Sequence, residues 1–358
     1  MAKRKAALRP KKLRVALIGA GGIAGAHMRH YATMEDVELV ALADVSKASM
    51  ARRAEEYKVS NCFTDYRQML EKIRPDAVSI CTPNGLHAPT TIDALRAGAH
   101  VLVEKPMAMN AREAQAMISA AKKHRRKLVI GFQHRFEPKT QFIRRAVEAG
   151  KLGRVVFARV QALRRRGIPN WGVFGRKELQ GGGPLIDIGV HVLEATHYAM
   201  GTPRPVAASG GAFTYLGDRK SNVVSQWPNW DHKTYTVEDL AVGQIRFENG
   251  AVLHLEASFA AHIEKDVWTF QLMGEKGGAI YDPPSFYGDE FGHMVNLSPG
   301  WLPRDAAADG FAIKMRNFVD HVLHGKPTGA PGEHGLMVQR MLDGIYQSAE
   351  RGREVIIK

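Results

Sequence analysis

Three polar side chains stand where proton chemistry could be done: Lys105 in "HVLVEKPMA" (100–108), and Asp187 and His191 in "GGGPLIDIGVHVLEATHYAMG" (181–201). A histidine exchanges a proton near neutral pH, and a carboxylate four residues earlier on a helix has the spacing to assist it. In the second segment three glycines and Pro184 mark a helix entry. Asp187, His191, Glu194 and Tyr198 then recur at i, i+4, i+7 and i+11 on an otherwise apolar helix, which makes one polar stripe. Such a stripe is either a buried hydrogen-bond network or one wall of a catalytic pocket, and both readings stay open at this point. Metal ligation by His191 and His197 would need one helix face, and their spacing of six denies it; no metal is expected. In the first segment an apolar run ends by pressing Glu104 and Lys105 against Pro106. Charged pairs at strand ends commonly just face water. Here the proline holds Lys105 extended and admits a cis bond.

The elements that must position these residues are legible as alternating apolar runs and helical patterns. The runs are "RVALIGA" (14–20), "VELVALAD" (37–44), "DAVSICTP" (76–83), "HVLVEKP" (100–106) and "KLVIGFQ" (127–133), with a weaker one near 62–64. Near-continuous Val, Ile and Leu predict strands buried on both faces, and helical segments at 22–33, 47–57, 87–98 and 110–124 separate most of them. The fold class is therefore α/β, beginning with a doubly wound parallel sheet. Its first turn reads Gly19-Ala20-Gly21-Gly22-Ile23-Ala24, a G-x-G-x-x-A match that follows a strand and opens a helix, as a dinucleotide site requires. The next strand ends on Asp44, where a carboxylate can accept ribose hydroxyls and repel a 2′-phosphate; the reading is NAD rather than NADP. The alternative for Asp44 is a plain helix cap. In this sheet Lys105 ends a central strand and faces the crevice where nicotinamide would lie.

At 358 residues and 45% apolar, the chain has material for about two domains. Half of its formal charge of +14 lies in the first fourteen residues, with seven Lys or Arg and no acid. That is a short basic arm expected to be disordered, not a nucleic-acid surface. Cys62 and Cys81 sit in strand-like surroundings, fitting buried thiols in a reducing compartment. No segment approaches the roughly 20 apolar residues of a membrane helix. The basic arm and apolar run resemble a signal peptide, but cleavage would remove the first strand and its glycine turn, so a cytoplasmic protein without membrane or nucleic-acid partners is expected.

Taken together, "GAGGIA", "CTPNGLH" (81–87), "EKP", "GFQHRFEP" (131–138), "GGGPLIDIGVH", "VEDLAVGQIRFENGAVLHLEAS" (237–258) and "IYQSAERGREV" resemble the Gfo/Idh/MocA oxidoreductases, named for glucose-fructose oxidoreductase and inositol dehydrogenase. The resemblance implies an arm at 1–12, a Rossmann domain at 13–135, and an α/β domain at 136–358 with a large, mainly antiparallel open sheet that mediates a homodimer or homotetramer. Strand-like stretches at 154–163, 238–247, 251–260 and 267–277 agree. It also implies hydride transfer between nicotinamide and a secondary alcohol of a sugar, glycoside or cyclic polyol. His191 would handle the hydroxyl proton, Lys105 would hold the substrate oxygen, and Asp187 would orient both. Gly19, Gly21, Gly22, Ile23 and Asp44 fall on the dinucleotide, with Thr82, Asn84, His87, Glu104 and Lys105 around the nicotinamide. His134, Arg135, Trp171 and Arg176 join Asp187 and His191 as substrate-binding candidates. Many relatives carry a Trp-Arg pair about fourteen residues before the aspartate; here Trp171 lies sixteen before it and precedes Gly172, leaving Arg176 as the candidate substitute. Two other functions fit the motifs: redox-assisted glycoside cleavage with retained NAD, and a non-enzymatic NAD-sensing regulator. The intact Lys105, Asp187 and His191 set speaks against the second.

Overall fold

Five short runs of buried aliphatic residues and one short pair at the edge, whose Cys62 is exposed, form a parallel sheet: β1 (Leu13–Ile18), β2 (Val37–Ala43), β3 (Cys62–Phe63), β4 (Ala77–Ile80), β5 (His100–Val103) and β6 (Leu128–Ile130). The computed structural model describes residues 12–304 and 309–358, so the basic arm lies, apart from Lys12, outside the described residues. The spatial order is β3-β2-β1-β4-β5-β6. Helices cover both faces, which is why Leu17, Ile80 and Val103 are all buried with no polar alternation between them. Connections leave β1 for opposite sides of the sheet and open a crevice beyond the carboxyl ends of β1 and β4. Helices Gly22–Tyr31, Lys47–Tyr57, His87–Arg96 and Ala111–His124 fall where the periodicity predicts. One helix the periodicity did not predict, Tyr66–Ile73, is short and starts on Asp65, whose side chain accepts from the Arg67 N–H.

The second sheet has nine strands: β7 (Val155–Leu163), β8 (Pro205–Phe213), β9 (Leu240–Phe247), β10 (Val252–Ser258), β11 (Val267–Gly274), β12 (Gly277–Ile280), β13 (Ser285–Glu290), β14 (His293–Leu297) and β15 (Val355–Ile356). They lie in the order β14-β13-β12-β11-β7-β10-β9-β8-β15, antiparallel except where β7 runs parallel to β10. Alternation sets the faces: Ala158, Val160 and Ala162 of β7 are buried inward, while Arg159 and Gln161 point outward. The four predicted strands carry the apolar alternation. The rest escape prediction because β8 is rich in Ala and Gly, and β12 to β14 are rich in Gly and polar residues.

Two features of the later chain position the site. The helix predicted from residue 185 begins as a π turn, Leu185–Gly189, and becomes α-helical only over Val190–Ala199. Such wide turns recur at functional sites because they re-aim side chains. Further on, helix Gly310–His324 returns to the first sheet and packs on helix Gly22–Tyr31. There Arg316 forks onto Asp36 with two 2.8 Å hydrogen bonds, and the Ile130 N–H donates to Ala330 C=O at 2.9 Å.

Candidate active site

The glycine turn is shaped for a phosphate. Gly19 has φ +101°, and a Cβ there would lie 2.4 Å from the Cys81 carbonyl oxygen; only glycine lets the end of β1 pass so close to β4. A Cβ at Gly21 or Gly22 would meet nothing within 4 Å, and the helix they open has no capping side chain and no acid in its first turn. Its leading N–H groups are thus free for an anion. Asp44 turns its carboxylate into the same turn, accepting from the Ala20 N–H at 2.6 Å and the Ser46 N–H at 2.7 Å. The following helix is capped by Ser46. Asp44 therefore is not a simple cap, and its spare lone pairs suit ribose hydroxyls. Thr82, just past β4, has a buried hydroxyl oxygen with no partner. These residues fit NAD, whose nicotinamide supplies the hydride acceptor when bound.

Beyond β5 the Lys105–Pro106 peptide is cis. Lys105 Nζ donates to the Asp187 carboxylate at 3.0 Å and to the Asp187 main-chain oxygen at 2.8 Å. The lysine thus joins the crevice of the first sheet to the π turn of the second half. His191 lies beside this pair, its Nδ1 3.5 Å from the Gln133 amide nitrogen. Burial holds the His191 pKa well below the usual imidazole range, and the neighbouring Lys105 charge adds to the effect. His134 meets His191 edge-on with ring centroids 4.8 Å apart, and Trp268 stands 6.0 Å from His191 and 5.7 Å from His134. Lys105, Asp187, His191 and His134 are therefore one constellation, walled by Trp268. Asp187 makes no hydrogen bond to His191; its carboxylate is spent on Lys105.

Several expected site residues are bonded within the framework. Glu104 is buried with Oε1 2.8 Å from His27 Nε2 and 2.5 Å from Lys314 Nζ, so it sits in an internal ion pair. Burial would raise its pKa, but the charge of Lys314 and the bond from His27 outweigh that and hold it far below the carboxylate range. His87 is buried between the Pro106 carbonyl at 2.7 Å and the Thr82 carbonyl at 2.9 Å, and so ties the loops after β4 and β5 together. Asn84 donates to the Gln180 carbonyl at 3.0 Å. Arg135 is completely buried, donating to Glu194 at 2.9 Å between the rings of Phe132 and Tyr198. The polar stripe therefore divides: Asp187 and His191 face the site, whereas Glu194 and Tyr198 enclose Arg135. Arg176 is on the surface with Glu178 and does not replace an active-site arginine. Trp171 packs edge-on against Trp227 at 4.7 Å.

Trp268, Arg164, Glu137 and Lys314 escaped the sequence reading. For Trp268 a signal existed, since strand alternation puts it on the same face as the core residues Phe270 and Leu272. Arg164 follows β7 two residues after Ala162, the cross-strand partner of Trp268, and stacks over Trp227 at 4.9 Å. Nothing local distinguishes Lys314 from any helical lysine.

An open glycine-lined helix start, a strand-end lysine and a histidine-bearing helix in one crevice define a two-part nicotinamide-dependent oxidoreductase. The chain belongs to the oxidoreductase family whose NAD-binding Rossmann fold matches residues 13–132 and whose C-terminal α/β domain matches residues 144–357, the Gfo/Idh/MocA family. It is 41% identical to the D-glucoside 3-dehydrogenase of Escherichia coli over 355 residues, covering 98% of this chain and 99% of that one. It is 30% identical to the levoglucosan dehydrogenase of Pseudarthrobacter phenanthrenivorans over 296 residues, 76% of this chain and 74% of that one. A levoglucosan dehydrogenase solved in complex with NADH and levoglucosan superimposes with a TM-score of 0.84 at 25% identity, covering 97% of this chain and 100% of that one.

Proposed function

We propose that this NAD-linked oxidoreductase, which moves hydride between a sugar or polyol CH–OH and nicotinamide, takes a glucoside and oxidises its C3 hydroxyl. The reading is carried by the near full-length similarity to a D-glucoside 3-dehydrogenase. It is supported by a site that pairs a charged clamp with an aromatic wall. Lys105, anchored by Asp187, holds the substrate oxygen; His191 hydrogen-bonds the reacting hydroxyl; Trp268 offers its face to the sugar ring. Stabilising a developing alkoxide with an ammonium in a water-poor crevice is what removing hydride from an alcohol carbon requires. Incubation with NAD and a panel of alkyl glucosides, free aldoses and inositols, read by nicotinamide absorbance and product mass, tests the reading. Glucosides are expected to give NADH and a keto-glycoside that keeps its aglycone. Aglycone release without net NADH would overturn it in favour of redox-assisted glycoside cleavage.

The outward face of the second sheet supports a homodimer or homotetramer. Arg159 and Met273 are exposed there and Val242 and Val267 half-buried, so apolar and charged groups are interleaved as in an interface. Light scattering of the eluted protein at a mass of one chain would overturn this. Among the described residues no helix is long and apolar enough to cross a membrane.

A further inference from the structure

In this site the histidine backed by a carboxylate is His134. Its Nδ1 is 2.6 Å from Glu137 Oε1, and the other carboxylate oxygen of Glu137 accepts from the Tyr281 hydroxyl at 2.5 Å. Burial raises the phenol pKa of Tyr281, as does the adjacent Glu137 charge, so the hydroxyl stays the donor. Glu137 is itself half-buried. Burial pushes its carboxyl up, but the His134 and Tyr281 bonds and the Lys139 charge prevail and keep it below the usual range. A carboxylate that accepts from Nδ1–H fixes the tautomer of His134 and leaves Nε2 as the basic nitrogen. His191, with no carboxylate bonded to it, lacks this support.

We infer that His134, oriented by Glu137 and Tyr281, is the group on which the substrate hydroxyl proton comes to rest, while His191 and Lys105 hold the oxygen. This deepens the proposed alcohol oxidation and rests on it. In the step, the O–H bond of the substrate breaks and its proton forms an N–H bond at His134 Nε2. The carbon–hydrogen bond breaks with its electron pair passing to oxidised nicotinamide, and the carbonyl forms. The resulting imidazolium is neutralised by Glu137, which also lines a cavity of about 430 Å³ with Trp301 and Arg304 on the far side. That cavity gives the proton a way out without crossing the substrate pocket. Gln133 is built for the change of charge: its amide nitrogen is 3.5 Å from both His134 Nε2 and His191 Nδ1, while its oxygen is buried without a partner. Turned end for end, the amide would accept the new N–H of His134.

Charged and titratable groups close in on the two histidines from several elements. Glu137 lies on the turn of His134, Lys139 on the helix that follows and over the Tyr281 ring, His191 and Glu194 on the helix beside it, and Tyr281 after β12, while Lys105 after β5 and Arg164 after β7 act on His191. Glu137 is the carboxylate bonded to the ring, so Glu137→Gln removes the negative charge that faces the imidazolium.

The test has two arms on the full chain. In the first, His134→Ala is expected to lose on the order of 10²-fold in kcat/KM, with free imidazole restoring a tenfold part of it, and Glu137→Gln to move the acid limb of the rate profile to lower pH. Loss below threefold, or loss that imidazole does not relieve with an unmoved limb in Glu137→Gln, would overturn the assignment. In the second, the ¹⁵N ring resonances of His134 are recorded in the cofactor-free protein. An Nδ1–H tautomer is expected; an Nε2–H tautomer refutes the assignment. If no sugar or polyol reduces NAD, the function itself fails, and the resonance arm still decides whether Glu137 makes His134 the proton holder.

Discussion

The Lys105 ammonium and the His191 imidazole do different work because their surroundings differ. Lys105 has the Asp187 carboxylate at 3.0 Å, whereas His191 is buried beside the ammonium and its pKa is held well below the usual imidazole range. Lys105→Met and His191→Ala are each expected to slow hydride transfer by on the order of 10²-fold, with NADH affinity changed far less. Single-turnover transfer from a substrate deuterated at the reacting carbon, beside NADH titration by fluorescence, checks both quantities. At the other end of the cofactor, Asp44 organises the glycine turn through Ala20 and still offers lone pairs to the ribose. Calorimetry is therefore expected to show NAD(H) bound more tightly than NADP(H), and a smaller difference in Asp44→Ala. Equal affinities in the unaltered protein would remove the ribose role.

Among the elements, the strand ends and helix starts of the first sheet were legible because their rules are local. A continuous aliphatic run says buried strand, and a glycine turn after it says phosphate. The π turn was not legible: Asp187 and His191 are four apart, the spacing of an ordinary helix, and nothing local marks the wider turn at Leu185–Gly189. The family resemblance likewise placed Glu104 around the nicotinamide. Its actual partner, Lys314, lies 210 residues away, a separation that no local pattern encodes. Lys314→Met is expected to leave a buried unpaired carboxylate and cost about 3–5 kcal/mol, and adding Glu104→Gln to recover part of that loss. Urea unfolding of the two variants measures it; a single variant as stable as the parent would show the pair to be dispensable.

The whole molecule carries a pH dependence in its buried histidines. His27, His100, His197 and His334 are each pushed down to about 4, burial being the first cause in every case. The unfolded chain, with ordinary imidazoles, binds protons first as pH falls through about 6.5, while the native state resists until about 4. Stability is thus full above that window and is lost progressively on descending through it. The melting temperature is expected to drop between pH 7 and pH 5, and scanning calorimetry across that range would show a flat profile if these side chains were already solvated in the native state. The reach of helix Gly310–His324 also decides where the polypeptide can be cut. Glu104 and Asp36 receive Lys314 and Arg316 from that helix, and β6 donates a backbone bond to the Ala330 carbonyl. A gene truncated after the last strand of the first sheet would encode a nucleotide-binding half stripped of its counter-charges, with a bare helix flank where the later segment had lain. Reconstitution from two separately expressed pieces should accordingly succeed only when the downstream piece carries residues 310–331, which act as a clasp that the first half does not possess.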